Sequence, residues 1–160
     1  MAVAASANAQ NFIATYTPYQ GFTDTASLLL VTTSAGGGVY DVNQVIGNVD
    51  GIAVNSLVSG YAGADNQLFV PANSMYVDFG GLSFTDALNQ SWNLYSDTSY
   101  SVPGSYGLMN GDANPVGYPV SWGYPGSEGT LSVSQAVPEP GPIAALGAGV
   151  LGLALRRRRA

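Results

Sequence analysis

Short runs that alternate apolar with polar residues, or that are rich in β-branched ones, recur from Asn11 to Gln135, separated by Gly, Asn, Asp and Pro clusters. This is the pattern of half-buried strands joined by turns. The runs predict strands over Asn11–Thr17, Ser27–Thr33, Val39–Val49, Ile52–Leu57, Gln67–Val70, Met75–Phe79, Leu82–Phe84, Ser91–Tyr95, Ser105–Met109, Val116–Val120 and Thr130–Gln135. The clearest hairpin is Val49-Asp50-Gly51-Ile52, because Asp-Gly supplies the positive φ angles of a type I′ turn. No segment before Ile143 sustains a 3.6-residue period. Strands spaced in this way predict an all-β, antiparallel β-sandwich or barrel.

The pattern changes at the end of the chain. Val137-Pro138-Glu139-Pro140-Gly141-Pro142 leads into an uncharged run, Ile143 to Leu155, and then into Arg156, Arg157, Arg158 and Arg159. As a helix the run is about 20 Å long, short of the roughly 20 apolar residues that a bilayer core usually takes. Arginine stems that snorkel extend it slightly. Ala145/Gly149 and Ala148/Gly152 have the small-xxx-small spacing that lets another membrane helix approach. The run therefore reads as a weak single transmembrane helix, suited to handling by a membrane protein rather than to permanent anchorage. Each arginine costs about 2.5–3.5 kcal/mol at mid-membrane, so the cluster is a membrane stop that stays inside while the body lies outside.

A Val-Pro-Glu-Pro motif, a short apolar helix and a terminal Arg cluster, in that order, resemble the PEP-CTERM sorting signal of exported bacterial proteins. The resemblance covers residues 137–160 and implies that a membrane exosortase recognises Pro138, Glu139 and Pro140 and processes the chain near them. It also implies a transient inner-membrane intermediate, then delivery to the cell surface or extracellular matrix. The chemistry would belong to the exosortase, and the prolines fit this role because they keep the motif extended and unpaired. The same terminal region resembles the C-terminal segment of some ice-binding proteins, a likeness confined to the tail. More loosely, Val39–Tyr95 resembles domains found ahead of such tails.

Charge sharpens this division. All four basic residues lie in the tail, while residues 10–137 carry nine of the ten acids and no Lys or Arg. A body with no cation cannot neutralise phosphates, which excludes nucleic acid as its partner. The expected organisation is a remnant of a signal peptide or a disordered terminus at 1–9, an exported β domain at 10–136, and the tail at 137–160. Ala7-Asn8-Ala9 has the small-residue ending of a secretory signal, without the basic and apolar regions that precede one, so a start upstream of Met1 is expected.

Candidate chemistry in the body is sparse. Without histidine, cysteine or lysine, the Ser-His-Asp arrangement, thiol and amine nucleophiles and zinc sites are ruled out of it. Carboxylate pairs remain, as in glycosidases, yet nothing singles out two of the nine acids. Asp24-Thr25-Ala26 has the order of an aspartic-protease tripeptide, and a turn aspartate accounts for it. Asp41-Val42-Asn43, Asp65-Asn66 and Asn110 to Asn114 offer hard oxygen ligands, but lack a calcium loop's spacing and suit Asx-turns equally well. Asn89-Gln90-Ser91 is a glycosylation sequon by composition alone. The aromatic residues between Trp92 and Tyr124 are more suggestive. Trp92, Tyr118, Trp122 and Tyr124, among Gly and Ser, are the candidates for stacking on polysaccharide, against the alternative that some of them face the core. The sequence thus predicts a non-enzymatic surface or matrix protein without cofactor or metal, partnered by the exosortase, the secretion machinery and, through 143–155, the membrane. The alternative is a carbohydrate-binding module for the cell's own exopolysaccharide.

Overall fold

A computed structural model describes residues 9–70, 75–96, 104–111 and 127–136. Its nine strands are β1 (Ala9–Pro18), β2 (Ala26–Gly36), β3 (Val39–Val49), β4 (Ile52–Leu57), β5 (Gln67–Phe69), β6 (Leu82–Asp86), β7 (Ser91–Ser96), β8 (Tyr106–Asn110) and β9 (Ser127–Gln135). Eight of them form a closed antiparallel ring, β1-β2-β3-β4-β6-β7-β8-β9, which returns to β1. β5 stands outside the ring and pairs with the start of β3, Val39↔Phe69 to Asp41↔Gln67. The architecture is an up-and-down barrel, and of the two expected arrangements the chain adopts the closed one, which leaves few free edges.

Alternation along the strands fills the interior. Phe12, Ala14 and Tyr16 of β1, Leu28 and Leu30 of β2, Leu82 and Phe84 of β6, Trp92 and Leu94 of β7, and Leu108 of β8 are all buried in one core. β3 departs from strict alternation because Val31 pairs with Gln44 while Thr32 pairs with Val42, which leaves Asn43 as a bulge. The extra residue turns both Val42 and Val45 inward. β6 and β7 are buried on both faces, since the segment from Val58 to Asn66, with a single 3₁₀ turn at Tyr61–Gly63, lies across their outside. Asn66 fastens it: its Nδ2 donates to the Val58 carbonyl at 2.7 Å and its Oδ1 accepts from the Ser83 amide at 2.8 Å.

The expected hairpin is present, with Asp50 at φ 50° and Gly51 at φ 77° between the paired Val49 and Ile52. One expected strand is not. Met75–Phe79 makes bends instead. The Phe69 amide donates to the Tyr76 carbonyl, and the Tyr76 amide donates to the Tyr106 hydroxyl at 2.8 Å, so a side chain takes the place of a ladder partner. Val77 from this segment is fully buried in the core. The expected strand Val116–Val120 and the expected tail helix lie outside the described residues. Among the described residues no helix is long and apolar enough to cross a membrane.

Candidate functional site

The tail leaves the barrel at the seam where the last strand meets the first. β9 pairs with β1 from Phe12↔Gln135 to Pro18↔Gly129, and with β8 from Leu108↔Ser127 to Tyr106↔Gly129. Gly129 sits where β9 passes close to β1. A Cβ there would lie 2.2 Å from the Thr17 carbonyl oxygen and 2.8 Å from the Tyr16 ring, so only glycine fits. Tyr16 locks the far end of the seam by donating its hydroxyl to the Ser127 carbonyl from inside the core. Burial pushes this phenol up to about 12, so it stays a donor at any physiological pH.

The near end is held by one more bond. The Ala136 amide donates to the Asn11 carbonyl at 2.7 Å, beyond the last rung of the ladder. Only Val137 then separates this bond from Pro138. The motif Pro138, Glu139 and Pro140 therefore begins within about 7 Å of a fixed point on the barrel rim, at up to roughly 3.5 Å per extended residue. Strand direction sets what shares that rim. The first residues of β1, the β2–β3 turn and the end of β9 lie at one end of the barrel. The β1–β2, β3–β4, β6–β7 and β8–β9 connections lie at the other.

Residues 136–159 match the PEP-CTERM protein-sorting motif. The match covers the tail, starts at the last residue fastened to the barrel, and supports exosortase-dependent sorting of an exported protein to the cell surface. Comparison with curated proteins and with solved structures gives no significant match. The PEP-CTERM residues Pro138, Glu139, Pro140 and Arg156 to Arg159 lie outside the described residues, so the barrel contributes their point of attachment.

The sugar-binding candidates divide. Trp92 is 2 % exposed, and its indole N–H donates to Asp86 Oδ2 at 3.0 Å. Its ring is part of the core and presents no face for stacking, which removes it from the candidate set. Tyr95 and Tyr106, in the same aromatic-rich stretch, are buried too. Tyr118, Trp122 and Tyr124 lie outside the described residues, on the connection between Gly111 and Ser127.

Asp86 is the most constrained acid among the described residues, although no motif singles it out. It is fully buried, and its Oδ1 accepts from the Leu88 amide at 2.8 Å and the Gln90 amide at 2.9 Å. Burial pushes its carboxyl up, but hydrogen bonds from Trp92, Gln90 and Leu88 together outweigh that and hold it below the ordinary carboxylate range. The signal was there in outline: an Asp opening a turn whose Asn89 takes φ 62°, with a Trp just beyond. Of the other acids, Asp65 and Asp50 serve turns, and Asp41 ties β3 to β5. Asp65 Oδ1 accepts from the Gln67 amide, Asp41 Oδ1 accepts from Gln67 Nε2, and Asp50 Oδ1 accepts from the Thr25 amide at 2.6 Å. Among the described residues no group of three or more His, Cys, Asp or Glu is placed to hold a metal ion.

Proposed function

We propose that this chain is an exported, non-enzymatic β-barrel protein of the cell surface or extracellular matrix, delivered and processed by an exosortase through its PEP-CTERM tail. The observation that carries the reading is the sorting motif joined directly to a barrel strand, with one residue between the last barrel hydrogen bond and Pro138. In this reading 143–155 spans the inner membrane transiently, Arg156 to Arg159 hold its inner end, and the barrel rests just outside. Residues 137–142 reach at most about 20 Å, so the barrel would ride close to the bilayer until the chain is cut. The side chains present support the non-enzymatic part of the reading. The body has no histidine, cysteine or lysine, and its best-held carboxylate is committed to a tryptophan and a turn.

Intact-mass measurement of protein recovered from the native cell surface tests this. The expected species ends near Pro138-Glu139-Pro140 and lacks the arginines, while Glu139→Ala leaves uncut protein in the membrane fraction. Surface protein that retains Arg156 to Arg159 would overturn it.

The second reading, a carbohydrate-binding module for the producer's exopolysaccharide, is favoured by one point of topology. The connection bearing Tyr118, Trp122 and Tyr124 joins β8 to β9 at the barrel end opposite Ala136, away from the membrane tether. Glycan binding that is lost in Trp122→Ala and kept in Trp92→Phe would support it; no binding to any polymer leaves the first reading alone.

A further inference from the structure

The middle of one wall of the barrel is free of charge. The outward positions of β9, β1, β2 and β3 form continuous rows across the sheet, and the central row, Ser134–Ile13–Leu29–Ile46, is apolar in three of its four members. Ile13 and Ile46 are each 45 % exposed, Leu29 between them is half-buried, and Val31 extends the patch along β2. Around this row stand Thr15, Ser27, Asn48, Thr130 and Ser132, with no Asp or Glu among them. Three acids of this side, Asp24, Asp50 and Glu128, lie at the end opposite Ala136, on the β1–β2 loop, the β3–β4 turn and the start of β9, while a fourth, Asp41, stands at the Ala136 end of β3, where Gln67 of β5 donates to it.

We infer that this wall is a docking surface for the chain's own apolar segment 143–155, occupied when the tail is not in a membrane. Three observations select this occupant. The segment leaves the barrel beside the wall, because Ala136 is bonded to β1 two residues before Ile13. The lengths agree: 137–142 reach up to about 20 Å, a helix over 143–155 is about 20 Å long, and β9 from Ser134 back to Glu128 covers about 20 Å. A helix laid back along the strands from the apolar row thus ends at Asp24, Asp50 and Glu128. There the charges agree as well, since the segment is followed by Arg156 to Arg159, the chain's only cations. At helical spacing Ile143, Leu146, Val150 and Leu153 fall on one stripe, which meets the apolar row where the helix crosses it and then passes over Thr15 and Ser27, with glycines and alanines over much of the remainder. Docking there shields the tail from water and holds it away from other copies before it meets lipid. The sorting reading sends the tail to the membrane; this inference gives it a second resting place.

Cross-linking in the full-length chain tests this directly, because the protein has no cysteine of its own. Ile46→Cys combined with Val150→Cys places one thiol on the wall and one on the segment. Leu88→Cys with Val150→Cys is the control, since Leu88 is 65 % exposed on the β6–β7 turn across the ring. The expected result is a soluble monomer in which a short cross-linker joins the Ile46 pair at roughly tenfold or greater yield over the control. Lipid vesicles or Arg→Gln changes at 156–159 should lower that yield. Equal yields for the two pairs would overturn the inference, as would cross-linked dimers, which would make the wall a contact between copies. A full-length chain that sediments unless detergent is present would also overturn it. Processing at the sorting motif is read separately by intact mass, so the two readings fail independently.

Discussion

At Asp86 three donors converge on one buried carboxylate, and the strand pair β6–β7 depends on it. Asp86→Ala leaves the Trp92 indole N–H and the Gln90 and Leu88 amides without their acceptor, at about 1–3 kcal/mol for each buried group left unpaired. We expect a loss of at least about 3 kcal/mol by urea denaturation and a smaller one for Asp86→Asn, which keeps the shape. The pH dependence has a definite sign. The folded-state carboxyl titrates below its unfolded value, so its stabilisation is present above pH of about 4 and is lost as pH falls through the lower folded value. Asp86→Asn should flatten that acid limb. Asp24 runs the other way. Burial first, then the neighbouring Asp50 charge and carboxyl, raise it, so its contribution is present in acid and lost as pH rises through the raised value. Asp24→Asn should therefore raise the Tm at pH 7 and leave it little changed near pH 3. Of this pairing the sequence showed only an outline, an Asp at a turn with a Trp just beyond. Composition marked Trp92 as an aromatic that stacks or packs, but which it does is settled by a partner six positions earlier whose role exists only once the hairpin has closed.

All nine strands were legible, several to within a residue or two, because each puts an alternating or β-branched run against one core. The Asp50-Gly51 turn was legible for the same local reason: its backbone needs positive φ and the residues supply it. Met75–Phe79 shows where the pattern misleads. Its alternation is real and Val77 does point into the core, but a strand also needs a neighbour, and here Tyr106 bonds the backbone instead. Closure was invisible too, since sandwich and barrel ask for the same alternation and differ only in whether the last strand finds the first. That meeting leaves one mark, at Gly129. Gly129→Ala should force β9 away from Thr17 at a cost of about 1–3 kcal/mol, as overpacking does elsewhere. Hydrogen exchange should show the loss concentrated in β1 and β9.

For the whole molecule, the ring makes the domain independent of its tail. A chain ending at Ala136 keeps every rung between β9 and its neighbours, so its unfolding free energy should match that of the cut form recovered from cells. A chain ending at Gly126 lacks β9 and bares the edges of β1 and β8, and it should aggregate, as light scattering would show. The sorting motif was legible from its order alone, whereas its distance from a folded rim required the structure. That distance has a mechanical side. If the cut end is joined to a surface polymer, tension arrives at Ala136 along the axis of β9, with the body of the barrel trailing behind. The seven β1–β9 rungs from Phe12↔Gln135 to Pro18↔Gly129 then bear the load together in shear, instead of unzipping one after another. The seam that closes the ring is also a handle by which the protein can be pulled without coming apart.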